Sequence, residues 1–211
     1  MNYRYIVIEG CIGSKKTELA DKLSFFFNCR LIRENPEKNP FLMPFFLNIK
    51  HHALAAQLQS LLDRSRILEQ IKNEELKNDA LIISDFLIEK DKIFAPVTLE
   101  NNELDLYWKI RNQLMPNIIK PDLIILLEPS LEKIYANLDA RKVSSSRVYP
   151  TNFIKKIFDE YQRFFYVYDE VPVLIANTDE LDFINNQDHF NLLIKTMNNL
   201  QGKKNYINLN E

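Results

Sequence analysis

Glycine is nearly missing from this chain of 211 residues, which holds only three. A chain so sparing of glycine keeps it where backbone must turn sharply or let something approach closely. Two of the three, Gly10 and Gly13, fall in one short stretch. Cysteine is scarce as well. Cys11 and Cys29 are too few for a disulfide framework, and with His51, His52 and His189 they form no zinc or catalytic pattern. No apolar run is long enough to cross a bilayer and no secretory leader is visible, so a soluble, cytoplasmic protein is expected. Neither sign of charge dominates. The 27 Lys and Arg against 29 Asp and Glu give a net charge of −2, which leaves no basic face for nucleic acid.

What the chain does have is apolar content, 46% of its residues, enough for one good core. Short β-rich runs at 5–9, 30–34, 80–85, 122–128 and 171–176 are almost wholly apolar, as expected of strands covered on both faces of a parallel sheet. Helical periodicity separates them, at 16–27, 101–119 and 131–138. Thr151 stands as N-cap of the longest stripe, Phe153 to Phe165. A last helix is expected over 183–200. This alternation predicts an α/β fold, a five-stranded parallel sheet with helices on both faces in a three-layer sandwich. One domain is expected over 1–200, followed by a frayed polar tail over 201–211.

The glycine pair lies in Tyr5-Ile-Val-Ile-Glu-Gly10-Cys11-Ile12-Gly13-Ser14-Lys15-Lys16-Thr17, an apolar strand running into a turn and then a helix. A tight turn ending in Lys-Thr at a helix start is how backbone amides cradle phosphate groups. The match to G-x-x-x-x-G-K-[ST] lacks its second glycine, and Lys15 stands there. A side chain at that position strains the backbone by ~1–3 kcal/mol if an unusual conformation is required, and it is expected to crowd the cradle. The competing reading is an ordinary strand-turn-helix with lysines on a solvated first turn. A packed thiol, rather than a reactive one, is expected at Cys11.

In a doubly wound sheet, ligands collect outside the carboxyl ends of the strands. Three of the five expected strands end in acid: Glu34 after the second, Asp85 after the third and Glu128 after the fourth. A carboxylate beside the Thr hydroxyl is what a magnesium–phosphate site requires.

With those residues in place, the chain resembles the deoxynucleoside kinase family from about residue 5 to residue 200, and most of all its bacterial deoxyadenosine/deoxyguanosine-type members. The opening strand and loop resemble the family's start, where Asn usually stands at Cys11. Glu34 followed by Asn39-Pro40-Phe41-Leu42 is similar to the acidic strand-two motif. Gln57, seven residues before Arg64, matches the glutamine that reads the base. Ser84-Asp85 with Ile93-Phe94-Ala95 resembles the strand-three motif, and Lys120-Pro121-Asp122-Leu123 precedes strand four as in the family. A lid segment is implied over about 141–150.

The resemblance implies ATP-dependent phosphorylation of a deoxynucleoside 5′-hydroxyl. Loop residues 10–17 would bind ATP, with Lys16 on the phosphates and Thr17 and Asp85 on Mg²⁺. Glu34 would accept the hydroxyl proton, Gln57 would read the base, and Arg141 and Arg147 would close over the transition state. A homodimer is implied, with the helices at 53–72 and 101–119 as contact surfaces. Three departures bear on the chemistry: Lys15 in the loop, Phe86 where the strand-three motif carries Arg, and Val143 and Ser146 in the lid. Phe86 takes that Arg's place in the substrate site, with Lys90 as the nearest positive substitute. Two alternatives remain open at this point. One is a nucleotide- or nucleoside-binding protein of the same fold with little catalysis, and the other is a nucleoside monophosphate kinase.

Overall fold

The structure, a computed structural model, describes residues 3–72, 80–115, 117–142, 149–207 and 209, with the side chains of residues 141 and 142 not described. Its centre is a fully parallel sheet of β1 (Tyr5–Gly10), β2 (Arg30–Ile32), β3 (Ile82–Ser84), β4 (Leu123–Leu127), β5 (Val173–Ala176) and β6 (Lys204–Ile207). The spatial order is β2-β3-β1-β4-β5-β6, with Ile6 in register with Ile83 on one side and Leu123 on the other. Every residue of β1, β3, β4 and β5 is buried, which is why these segments read as almost wholly apolar runs.

Alternate residues of the strands face opposite layers. Ile6, Ile8, Ile125 and Leu174 pack with Leu19 and Leu23 of α1 (Lys16–Phe27) and with Phe190 and Leu193 of α8 (Gln187–Met197). Val7, Ile124, Leu126 and Val173 face the other layer. There they meet α3 (Ile49–Gln70), α4 (Asp91–Thr98), α5 (Asn101–Leu114), α6 (Leu131–Lys142) and α7 (Thr151–Val167). The short α2 (Leu42–Leu47) leads into α3, and Asn48 caps α3 by accepting a hydrogen bond from the His51 amide. No described helix is long and apolar enough to cross a membrane.

The sheet has six strands, not the five expected, and the sixth lies inside the segment read as a frayed tail. β6 is an edge strand of partly exposed polar residues with only Ile207 turned into the core, so its run of Lys, Asn and Tyr carries almost no strand signal. Thr151 does not cap α7. It is the first helical residue, Pro150 precedes it as the cap position, and no side chain caps the end. Two helices are shorter than their periodicity implied. α5 stops at Leu114 and α8 begins only at Gln187, where Asn186 accepts hydrogen bonds from the amides of Asp188 and His189.

Candidate active site

β1 delivers the chain into the turn at Gly10, where a Cβ would lie 2.8 Å from the Leu127 carbonyl oxygen of β4 and 2.6 Å from Ser14 Oγ. No side chain fits there. The turn closes through a hydrogen bond from the Ser14 amide to the Cys11 carbonyl at 3.1 Å. Asn137 of α6 holds it from outside by donating to the Gly13 carbonyl at 2.8 Å. Lys15, where the phosphate-loop pattern has glycine, sits in the left-handed region at φ 63° and ψ 25°. The loop has therefore kept the backbone shape that favours glycine at the cost of holding a lysine in it, about 1–2 kcal/mol. The Lys15 side chain is exposed and points away from the cavity that holds Lys16 and Thr17, lining instead a smaller cleft with Ser14 and Asn137.

Lys16 turns back over the loop, its ammonium donating to the Gly10 carbonyl at 3.1 Å. Burial and the neighbouring Lys90 ammonium together push its pKa below the ordinary lysine value. One turn of chemistry further in, Thr17 Oγ1 donates to Asp85 Oδ2 at 2.9 Å, while Asp85 Oδ1 accepts from the Glu34 amide at 2.8 Å. Asp85 thus ties the end of β3 both to the head of α1 and to the end of β2.

Glu34 is the charged centre of the other half. Its Oε1 accepts from Arg64 Nη1 at 3.1 Å and its Oε2 from Lys90 Nζ at 2.7 Å. Burial alone would raise the Glu34 carboxyl. Lys90 and then Arg64 outweigh it and hold the carboxyl down to about 2. The same contact works in reverse on Lys90, which burial would lower and Glu34 raises above its usual value. Lys90 closes the short 3-10 helix at Ile88–Lys90, and its ammonium also lies 5.1 Å from the centroid of the Phe94 ring. Arg64 sits two turns after Gln57 on the buried face of α3 that also carries Ala53, Leu61 and Leu68.

These groups share one cavity of about 430 Å³. Lys16 and Thr17 line one end, Glu34 and Asp85 the waist, and Gln57 with Phe45, Phe46, Phe94 and Phe153 the other end. Phe45 and Phe153 meet edge to face at 5.5 Å, forming a rigid apolar wall. A cation at one end, carboxylates in the middle and an aromatic slot with a single amide at the other suit a phosphate donor opposite a planar heterocycle.

Of the residues picked out in the sequence, Ile12, Gly13, Lys16, Thr17, Glu34, Gln57, Asp85 and Lys90 line this cavity, whereas Gly10, Cys11, Ser14 and Lys15 shape the loop without lining it. Phe86 does neither. It is fully buried in the core layer and absent from the cavity wall, so its place in the substrate site is withdrawn. Asp85 and Phe86 lie in the bend that follows β3, which turns Asp85 to the cavity and Phe86 into the core. Cys11 is packed as expected, and burial pushes its thiol up to about 12 despite Lys16 nearby. Arg147, Val143 and Ser146 lie outside the described residues, as does the Arg141 side chain. Arg64 and the aromatic wall were not picked out as site residues. The signal for Arg64 was its seven-residue spacing from Gln57, which puts both on one helical face.

A family model described as deoxynucleoside kinase matches residues 6–201. The chain belongs to the deoxynucleoside kinase family. The family resemblance read from Gly10, Glu34, Gln57 and Asp85 therefore holds. Deoxyguanosine kinase of Bacillus subtilis is 32% identical over 190 residues, covering 88% of this chain and 92% of the relative. Deoxyadenosine kinase of Lactobacillus acidophilus is 25% identical over 197 residues, covering 87% and 89%. Among solved structures, deoxyadenosine kinase from M. mycoides with the products dCMP and a flexible dCDP bound superposes with a TM-score of 0.79. It is 22% identical and covers 93% of this chain and 100% of that one, a likeness that concerns the fold. Membership of the family supports nucleoside kinase activity in general.

Proposed function

We propose that this deoxynucleoside kinase family member transfers the γ-phosphoryl group of ATP to the 5′-hydroxyl of a deoxynucleoside. The observation that carries the reading is the position of Glu34. It stands between the phosphate loop and the aromatic slot, on the wall of the same cavity as Lys16 and Gln57. A nucleoside stacked among Phe45, Phe94 and Phe153 would direct its 5′ end toward that carboxylate. Phosphoryl transfer asks chiefly for positioning and charge neutralisation. In this reading Lys16 and the loop amides of residues 10–17 hold the phosphates, and Glu34 orients the hydroxyl and accepts its proton. Lys90 takes the role that arginine has elsewhere in the family, and Arg141 and Arg147 close over the phosphates. Gln57 pairs with the base edge through its side-by-side donor and acceptor. Thr17 and Asp85 form a hard-oxygen pair of the kind that suits Mg²⁺, which keeps most of its waters and its phosphate contacts. When bound there the ion supplies charge neutralisation on the phosphates.

The reading carries a cytoplasmic setting, where ATP is at hand, and a homodimer. Exposed Leu62 on α3 and Leu106 and Leu114 on α5 support those helices as the contact surface. A second reading, nucleoside binding with weak turnover, is favoured by the carboxyl of Glu34 lying at about 2, where it is a poor base.

The two are separated by following ADP release from MgATP with a panel of deoxynucleosides, alongside calorimetric binding. Turnover that falls by roughly 10²- to 10⁴-fold in Glu34→Gln, with nucleoside affinity kept, supports the kinase. Binding without turnover in the unaltered protein supports the second reading. Failure to bind any deoxynucleoside overturns both.

A further inference from the structure

We propose that Thr98 decides which class of base the cavity accepts, by locking the side-chain amide of Gln57 in one orientation. This rests on Gln57 being the residue that meets the base edge. Thr98 is the last residue of α4, buried behind the cavity wall and not part of it. Its Oγ1 lies 2.8 Å from the Phe94 carbonyl oxygen and 3.1 Å from Gln57 Nε2. A threonine hydroxyl has one proton, and a carbonyl oxygen can only accept. The proton therefore stays within the helix, on the Phe94 carbonyl with the Ala95 carbonyl at 3.4 Å beside it, and toward Gln57 the hydroxyl is an acceptor. Only the nitrogen end of the amide satisfies it.

Gln57 is 6% exposed, and among the described residues its Oε1 has no protein partner. With one N–H committed to Thr98, the amide offers its Oε1 and one remaining N–H. Bases divide sharply against that pair. A 6-aminopurine presents a donor amino group beside an acceptor ring nitrogen. A 6-oxopurine presents an acceptor carbonyl beside a donor ring N–H. In one pose of the purine, a glutamine amide pairs with the first in one orientation and with the second only when flipped. Flipping places Oε1 against Thr98, whose hydroxyl must then abandon Phe94. The cation side of the cavity offers no such choice, since Lys90 and Arg64, both paired with Glu34, can only donate hydrogen bonds. Thr98 is thus a positioning residue for specificity, acting entirely through Gln57.

The test is calorimetric affinity of the full chain for deoxyadenosine and deoxyguanosine, which does not depend on turnover. The unaltered protein is expected to favour one of the two purines. Thr98→Val keeps the shape and removes the hydroxyl, and is expected to narrow the affinity ratio by about fivefold or more. Thr98→Ser restores the hydroxyl and is expected to restore the ratio. Should the valine variant fold poorly, Thr98→Ala removes the same hydroxyl with less bulk and is read in the same way. An unchanged ratio in the hydroxyl-free variant, equal weakening of both purines, or no preference in the unaltered protein each overturns the lock. If Gln57→Ala leaves both affinities untouched, the fault lies earlier, in the assignment of Gln57 to the base.

Discussion

At the loop end of the cavity, backbone conformation sets the shape; at the nucleoside end, side-chain charges do. The loop departs from its pattern at residue 15, yet the backbone there still adopts the left-handed conformation, with φ at 63°. Its geometry is imposed by Gly10 wedged against Leu127, by Asn137 on the Gly13 carbonyl and by Thr17 on Asp85. At the other end, residue 86 departs from the family's strand-three motif and is buried in the core. The positive charge instead arrives from Lys90, four residues on, and reaches Glu34 at 2.7 Å. The first region tolerates a change of residue because main chain holds the shape. In the second, a long side chain from four residues on brings a positive charge to Glu34.

The comparison breaks most visibly at Lys16. If the loop is a phosphate cradle built from main chain, Lys16 is the ammonium group that the loop turns into the cavity, Lys15 being exposed outside it. Lys16→Ala is expected to lower turnover by roughly 10²- to 10³-fold while leaving deoxynucleoside affinity within about twofold. Steady-state ADP release and calorimetry measure the two quantities. A loss below about tenfold would place the phosphates elsewhere.

On the charged side the corresponding change is Lys90→Met. Lys90 is the largest of the influences lowering Glu34, ahead of Arg64 and Lys16, so without it the carboxyl rises from about 2. In the unaltered protein Glu34 stays ionised at every pH above about 4, and it imposes no acid limb on the rate. The variant is expected to acquire one, with turnover falling as pH drops toward the raised value, and to lose on the order of 10²-fold at neutral pH. The stability sign agrees. A carboxyl lowered by folding adds stability above its unfolded value of 4.5, and loses it as pH falls toward 2. Acid unfolding monitored by circular dichroism should therefore shed part of that pH dependence in Lys90→Met. A rate profile with the same acid side in both proteins would show that Lys90 does not control Glu34.

A third residue joins the two regions. Glu9, fully buried, accepts from the Gly10 amide at 2.8 Å, the Leu87 amide at 2.7 Å and the Tyr161 hydroxyl at 3.0 Å. It fastens the loop to the turn that carries Lys90 and to α7. In Glu9→Gln the amide nitrogen must face one of three donors, which leaves a buried clash of like polarity. A loss of about 2–3 kcal/mol in urea unfolding is expected. A change under about 0.5 kcal/mol would mean that the two regions are held independently.

Much of the fold was legible because fully buried strands are mostly apolar, and β1, β3, β4 and β5 announce themselves that way, with Glu9 and Ser84 as the buried polar exceptions. β6 was not, since an edge strand needs only one inward residue and supplies it with Ile207. In the site, Glu34, Asp85 and Gln57 could be read because strand ends and helix faces place a side chain from its position alone. Phe86 was misread by following an aligned position, since the bend after β3 turns its ring into the core, which no residue pattern announced. Lys90 was named only as a substitute, and Thr98 not at all. Both act through side-chain reach across elements distant in sequence, 56 residues from Glu34 and 41 from Gln57, and no local pattern encodes that.

The smallest effect tests the loop's claim to be a matter of main chain. If the surrounding contacts dictate the left-handed turn, Lys15→Gly removes the cost of a Cβ there without altering the path of the chain. Two opposing contributions then meet. Relief of the strained conformation favours the variant by about 1–2 kcal/mol, and the freer unfolded chain opposes it by about 0.4–1 kcal/mol. A net gain near 0.5–1 kcal/mol follows, read as a rise in the urea midpoint at constant slope. Because the exposed Lys15 side chain does not reach the cavity, turnover should move by no more than a few-fold. A large gain in rate would instead mean that the lysine, and not the backbone, governs how phosphate enters the loop.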